Sequence, residues 1–342
     1  MQYSDLKEMR GVICGVAGPT VVATGLDGIA LHTVCLAGRA GLLAEVIRIQ
    51  GALATLQVYE DTTGLSVGEE VYSLGRPLTV ILGPGLLTGT FDGIQRPLDR
   101  LKSAGADFIA KGLKISALDM ERQWEFTPTK KPGDFIAPGS VIGTVQETRC
   151  IVHHVAFPPE INGTGNAGGV IKEIKSGQVK GREAVCLLED GREIGLYHEW
   201  PVRRPRPFNK KLSLHVPFAT GQRVFDTLFP VAEGGIAIMP GGFGTGKTVV
   251  EQTIAKLGNS EIVVYIGCGE RGNEMTEILS DFPALLDLRT GLPLSERTVI
   301  VVNTSNMPVA AREASIFTGI TIAEYYRDMG YGVALLADSI SR

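Results

Sequence analysis

Nothing in the chain reads as a bilayer span. No apolar run approaches the length a membrane helix needs, and the N-terminus, Met1 to Lys7, lacks the charged-then-apolar order of a secretory leader. The expectation is a soluble protein. Closely spaced cysteine pairs are missing too: Cys14, Cys35, Cys150, Cys186 and Cys268 are scattered, odd in number and without a C-x-x-C, which fits a reducing compartment better than a disulfide framework. Nor is there a basic field. With a net charge of −4, neither nucleic acid nor an anionic membrane surface is favoured as a partner. Disorder is excluded by a composition that is 44% hydrophobic and 20% charged, and 342 residues suffice for two or three domains with cores of their own.

What is present centres on Gly241-Gly242-Phe243-Gly244-Thr245-Gly246-Lys247-Thr248, a full match to the phosphate-loop pattern G-x-x-x-x-G-K-[ST]. Upstream, Gly235 to Pro240 reads as a short buried strand. Downstream, Val249, Val250, Thr253, Ile254 and Leu257 recur at helical spacing until Gly258. Such a loop turns backbone N–H groups and a helix N-terminus toward phosphate oxygens, an approach that glycines permit. The nucleotide-binding candidates are therefore Gly241, Gly242, Phe243, Gly244, Thr245, Gly246, Lys247, Thr248 and Val249. Lys247 supplies charge to the outer phosphates and the Thr248 hydroxyl is placed to ligate Mg2+, so the expected cofactor is Mg2+ with a nucleotide.

Earlier in the chain, from Arg10 to about Tyr72, short runs rich in Val, Ile, Leu and Thr alternate with glycine turns, as in a small barrel or sandwich. Pro77, Pro84 and Pro97 mark a crossing segment without helical periodicity. Residues 110 to 195 form a second β-rich stretch with turn signals at Lys131-Pro132-Gly133-Asp134, Ala137-Pro138-Gly139 and Glu189-Asp190-Gly191, and are expected to carry a small core. The glycine-rich loop from Asn162 to Gly169 lacks a following Lys-Ser/Thr and reads as a hairpin rather than a second phosphate loop. Pro201 to Pro207, rich in arginine and proline, reads as a solvated linker; a nucleic-acid contact finds no interleaved aromatics to support it.

After Phe208 the pattern turns to alternating strand and helix, the signature of a parallel α/β sheet. Ile262 to Ile266 and Val299 to Val302 are runs suited to strands buried on both faces. Pro308 and Gly330 bracket a helix through Ala311, Ile316, Ile320 and Tyr326. Val333 to Asp338 is a further buried strand ending on an acid, where a P-loop protein usually holds magnesium. Glu270 and Arg271, at the end of the Ile262 strand, face the crevice where ligands bind in open α/β sheets. In that place Glu270 polarises the attacking water and Arg271 meets outer-phosphate charge. The alternative is local: Glu270 caps the next helix and Arg271 pairs with Glu274, itself placed to complement that helix's dipole.

These residues resemble one family, the catalytic A subunits of the rotary V-type and archaeal-type ATPases. Gly242 to Thr248 looks like its phosphate loop, and Gly269-Glu270-Arg271-Gly272-Asn273-Glu274-Met275 is similar to its acidic signature. Asn303 to Ser315 and Leu82 to Leu87 also match. The likeness covers nearly the whole chain, including the insertion that in this family distinguishes A subunits from B and from F-type β. It implies an α/β P-loop core of RecA-like type with a parallel sheet, preceded by an N-terminal β-barrel and carrying a β-rich insertion. The division is then 1–72 barrel, 73–110 crossing segment, 111–195 insertion and 196–342 ATPase core.

The implied activity is ATP hydrolysis or synthesis coupled to proton or sodium transport through a membrane sector. The implied partners are B subunits in an alternating A3B3 ring, with an arginine finger from B, and the proteins of the central and peripheral stalks. Nucleic acid is not among them. The implied location is cytoplasmic, peripheral to a membrane through the assembled complex. Lys247, Glu270 and Arg271 fall on the family's catalytic positions, Thr248 and Asp338 on its metal positions. Arg312 looks like a further arginine near the site, with a salt bridge to Glu313 or a helix neighbour as the alternative, and Phe243 is placed near the nucleotide. Two departures stand out. Thr245 occupies a place where some relatives carry cysteine, and relatives continue well past Ser339 to Arg342, so a fragment with weak or absent hydrolysis of its own is expected. The other readings are a nucleotide-binding module without turnover, and another RecA-like ring ATPase such as an export motor or nucleic-acid translocase.

Overall fold

Strands β1 (Arg10–Ala17), β2 (Thr20–Thr24), β3 (Thr33–Ala37), β4 (Leu42–Gln50), β5 (Leu53–Val58) and β6 (Glu70–Pro77) close into a barrel in the order β1-β2-β5-β4-β3-β6, every pair antiparallel. The computed structural model describes residues 9–103, 111–113, 115–161, 164–165, 167–242, 244–281 and 284–338. Alternation does the sorting. In β2, Val21 and Ala23 point inward to a core shared with Ile13, Ala44, Val46 and Leu56, while their neighbours face outward. Closure leaves the barrel no unpaired edge. β6 carries it to Pro77, past the boundary drawn at residue 72.

The crossing segment contributes β7 (Thr79–Leu82), β8 (Thr90–Phe91) and a short helix α1 (Leu98–Ser103). Beyond it, β9 (Gln123–Pro128), β10 (Phe135–Ile136), β11 (Val141–Gln146), β12 (Val152–Ala156), β13 (Glu160–Ile161), β14 (Thr164–Gly165), β15 (Gly169–Ile174), β16 (Gly177–Lys180), β17 (Ala184–Leu188) and β18 (Glu193–Gly195) make up the insertion. Two four-stranded sheets, β10-β15-β17-β18 and β12-β11-β9-β16, enclose a core of Trp124, Phe126, Ile142, Phe157, Ile171 and Leu188. The expected turns are there: the Asp134 N–H donates to the Lys131 carbonyl at 3.1 Å and that of Ser140 to Ala137 at 3.0 Å. β13 and β14 pair as a hairpin; Asn162, Gly163 and Asn166 of the glycine-rich loop lie outside the described residues. β7 pairs antiparallel with β19 (His198–Pro201), so the chain enters and leaves the insertion side by side.

The remaining elements are β20 (Pro217–Phe218), α2 (Arg223–Leu228), β21 (Val231–Ala232), α3 (Lys247–Leu257), β22 (Ile262–Glu270), α4 (Gly272–Asp281), β23 (Thr298–Thr304), α5 (Val309–Asp328) and β24 (Val333–Asp338). The main sheet is parallel throughout, in the order β24-β22-β23-β8. Its central strands bury both faces, as continuous apolar runs require. Ile262, Val264 and Ile266 of β22 pack with Ala311, Ala314 and Tyr326 of α5, whereas Val263 and Tyr265 share a second core with Ala255 of α3 and Met275 of α4. Gly319 lets α5 lie this close: a Cβ there would stand 2.4 Å from Ile266 Cδ1.

Three expectations are corrected. Gly235 to Pro240 forms no strand, and Ile236 and Ile238 are 94% and 79% exposed. A strand needs a ladder neighbour, and none pairs with this run among the described residues. β24 is half-buried except at Asp338, because among the described residues it lies at the edge of the sheet. The segment from Pro201 to Pro207 is not a solvated linker. Arg206 is 4% exposed, donates to Asp328 of α5 at 2.6 Å and lies over the Trp200 ring at 4.8 Å. Arg203 donates two hydrogen bonds to Glu45 of the barrel at 2.7 and 3.0 Å, and its guanidinium stands over Phe317 of α5 at 4.6 Å. This arginine ties the barrel to the nucleotide core.

Glu45 also accepts from the Tyr59 hydroxyl at 2.5 Å and pairs with His32 Nδ1 at 2.7 Å. Burial pushes its pKa up, but Arg203, Tyr59 and His32 together outweigh burial and hold it below the ordinary value. A depressed carboxylate stabilises the fold above its unfolded pKa, and that stabilisation disappears as pH falls through the folded value. Glu45→Gln is expected to cost about 1–3 kcal/mol at about pH 7. The gap from the native chain should close in acid, below the ordinary carboxylate range near pH 4. Urea midpoints at the two pH values check this, and a gap that widens in acid would contradict it.

Candidate nucleotide site

Gly241, Gly242, Gly244 and Thr245 form an exposed loop leading into α3. Gly244 and Gly246 hold φ of 78° and 86°, left-handed values that glycine adopts without strain, and Gly246 is the N-cap of α3. The Thr245 hydroxyl donates to the Gly242 carbonyl at 2.9 Å. Lys247 opens the helix and turns its ammonium back onto the carbonyls of Gly241 and Gly242, at 2.5 and 3.1 Å. Phe243 lies outside the described residues. α3 runs to Leu257 with Gly258 as C-cap, as expected, but its orientation differs from the expected one. Val249 and Leu257 are exposed, and the residues facing the sheet are Glu251 and Ala255.

Thr248 and Asp338 meet. The Thr248 hydroxyl donates to Asp338 Oδ2 at 2.5 Å, and the Tyr265 hydroxyl reaches the same oxygen at 3.3 Å. Asp338 is buried at the carboxyl end of β24, opposite Gly267 of β22 in the parallel ladder. Two oxygen donors, a hydroxyl and a carboxylate, suit a hard cation that takes its other ligands from phosphates and water. Among the described residues, no group of three or more His, Cys, Asp or Glu converges into a metal cage.

Glu270 closes β22 and is buried. The ladder to β23 slips between Cys268 and Glu270, with Gly269 at φ 82°, and this bulge sets the direction in which the carboxylate leaves the strand. The Ser305 N–H donates to the Glu270 carbonyl at 2.8 Å, joining the ends of β22 and β23. Arg271 follows, exposed, and Glu274 sits in the first turn of α4. Arg312 lies near the start of α5. Its carbonyl accepts from Cys268 Sγ at 3.2 Å, and its buried Nε has no hydrogen-bond partner. Glu313, next to it, pairs with Arg203 at 3.6 Å.

Glu251 escaped the sequence reading. Burial, then the charges of Asp338 and Glu270, push its pKa up to about 8, while Lys247 pulls it down. One carboxyl thus senses the loop lysine and both strand-end acids at once. Its signal was available in the spacing, three positions after Thr248 and four after Lys247 on one helix face. The apolar residues around it suggested a different buried stripe.

Comparison with known proteins identifies the family. Residues 221–342 match the nucleotide-binding domain of the ATP synthase alpha/beta family, residues 115–203 its barrel-sandwich domain and residues 13–75 its beta-barrel domain. An A-type ATP synthase A subunit of Methanospirillum hungatei, the one numbered 2 in that organism, is 54% identical over 334 residues, 98% of this chain and 56% of the relative. The corresponding A-type protein of Methanopyrus kandleri is 54% identical over 338 residues, covering 98% and 56%. The V-type ATP synthase alpha chain of Clostridium perfringens is 52% identical over 336 residues, covering 97% and 56%. The chain therefore spans little more than half the length of these relatives. Among solved structures, the assembled ATPase EscN of the enteropathogenic E. coli type III secretion system superposes with a TM-score of 0.56 over 97% of this chain and 57% of that one, at 22% identity, a likeness of fold alone. No helix among the described residues is long and apolar enough to cross a membrane. The chain belongs to the ATP synthase alpha/beta family and is similar over nearly its whole length to the A subunits of A-type and V-type enzymes.

Proposed function

We propose that this chain is the catalytic portion of an A subunit that hydrolyses or synthesises ATP within a rotary complex, coupling turnover to proton or sodium movement. The observation that carries the reading is the hydrogen bond from Thr248 to Asp338, which joins the phosphate loop to the acid of a neighbouring strand. In this reading the loop N–H groups and the Lys247 ammonium bind outer-phosphate oxygens, the ammonium exchanging its loop carbonyls for them. Thr248 and Asp338 would hold Mg2+, whose chemistry is to neutralise charge on the phosphates. Glu270 accepts a hydrogen bond from the attacking water and orients it; Arg271 and Arg312 offer charge to the outer phosphate. The partners in this reading are B subunits, interleaved in an A3B3 ring and contributing an arginine finger, together with the two stalks; the complex sits on a membrane through a separate sector. The division into barrel (1–72, its last strand running on to Pro77), crossing segment (73–110), insertion (111–195) and ATPase core (196–342) belongs to the same proposal.

A second reading, nucleotide binding without turnover by these 342 residues, is favoured by one observation. The run from Gly235 to Pro240 has no ladder partner among the described residues, so the approach to Gly241 is not braced by the sheet. Calorimetry with the purified chain separates the possibilities. Mg·ADP is expected to bind, and Lys247→Ala to weaken it about 10- to 100-fold, the equivalent of one charge-assisted hydrogen-bond set. ATP turnover by the same preparation is expected to be slow or absent. Equal affinity in the variant would overturn the site, and brisk turnover would overturn the second reading.

A further inference from the structure

Glu251 is out of place by every rule of helix packing. A helix laid on a sheet buries apolar residues, and acids are almost never fully buried unless paired. Yet the buried residues of α3 are Glu251 and Ala255, Glu251 is 8% exposed, and its Oε2 is buried with no hydrogen-bond partner. An orphaned carboxyl oxygen costs stability.

Its position says what it faces. Glu251 stands three positions after Thr248 and four after Lys247, on the helix face those residues share. The charges acting on it are those of Asp338, Glu270 and Lys247. The Thr248 hydroxyl and Asp338 are already bonded to each other at 2.5 Å. Magnesium dehydrates reluctantly and keeps several waters, which need acceptors.

We propose that Glu251 is a positioning residue of the magnesium–nucleotide site, its orphan oxygen accepting a hydrogen bond from a water of the metal's shell and so holding the ion against Thr248 and Asp338. The proposal rests on the reading of Thr248 and Asp338 as the magnesium end of a nucleotide site. Groups of this outer kind are typically worth 10- to 100-fold in metal affinity.

The test uses the purified 342-residue chain, ADP, and Mn2+ as a paramagnetic stand-in for magnesium, with Mn2+ binding read by electron paramagnetic resonance and metal-free ADP binding read by calorimetry in chelator. Glu251→Met removes every acceptor at similar length and keeps a good helix former. It should weaken Mn2+ binding to the ADP complex about tenfold or more, leave metal-free ADP affinity unchanged, and melt no lower than the native chain without metal. Glu251→Gln, which keeps one acceptor oxygen, should recover part of the loss. Native-like Mn2+ affinity in Glu251→Met would overturn the role, as would an equal loss of metal-free ADP binding, which marks a purely structural residue. Asp338→Asn tells this failure from failure of the site itself. If it abolishes ADP-dependent Mn2+ binding while Glu251→Met does not, only the Glu251 role falls; if it has no effect, or the native chain shows no ADP-dependent Mn2+ binding, the site falls and the Glu251 role with it.

Discussion

Glu270→Gln, made in a chain extended to the length of its relatives and assembled with its partner proteins, should lower ATP turnover by about 10²- to 10⁴-fold, the usual worth of a positioned general base. Nucleotide affinity should survive. The side chain keeps its size and one acceptor oxygen, so the buried pocket at the end of β22 has no reason to rearrange, and the loop residues that meet the phosphates are untouched. What disappears, in the proposed reading, is the negative charge toward which the attacking water directs its proton. The bulge at Gly269 matters here, because it fixes the exit direction of the carboxylate through backbone geometry rather than a flexible side-chain choice. Single-turnover hydrolysis and nucleotide binding measured on the same assembly would check this. Turnover within a few-fold of the native enzyme would remove Glu270 from the chemistry and return it to the helix-cap role.

Glu147→Ala should lower stability by about 3–5 kcal/mol, the usual result of deleting one partner of a buried ionic network. Glu147 Oε1 accepts from the N–H groups of Gly85 and Leu87 at 2.8 and 3.0 Å and from the Tyr326 hydroxyl at 2.9 Å. Its Oε2 pairs with His153 Nδ1 at 2.6 Å, and the other ring nitrogen of His153 meets the Tyr325 hydroxyl at 2.8 Å. Burial alone would raise the Glu147 pKa, but His153 and these donors together hold it below the ordinary carboxylate value. The alanine variant strands all of these groups in the interior. The network also joins three pieces distant in sequence: the crossing segment, the insertion and α5. In urea unfolding of the variant the insertion signal should therefore separate from that of the sheet further than in the native chain. A loss below about 1 kcal/mol would mean that water or a repacked neighbour replaces the carboxylate.

What the sequence made legible was whatever depends on local pattern. The phosphate loop, the strands from Ile262 and Val299, the helix between Pro308 and Gly330 and the acid at Asp338 are all readable from spacing, because burial on one face or two imposes a period on the residues that supply it. The misreadings have a common cause. Gly235 to Pro240 has the composition of a buried strand, but composition reports a preference for burial and not the presence of a neighbour to pair with. Pro201 to Pro207 has the composition of a solvated segment, but the partners of Arg203 and Arg206 are Glu45 and Asp328, too far along the chain for any window to connect. Glu251 was hidden by its own helix: the valines and isoleucine around it suggested one buried face, while the sheet selected another.

α5 acquires a mechanical meaning from its two ends. Near its start Arg312 stands beside Cys268 at the strand ends of the candidate site, and near its finish Tyr325, Tyr326 and Asp328 are bonded to His153, Glu147 and Arg206. Twenty residues of helix make a rod about 30 Å long. A tilt of about 5° at the phosphate end would carry the far end through roughly 2.6 Å on that length. An excursion of that size exceeds what a hydrogen bond tolerates, so the insertion must travel with the rod or break from it.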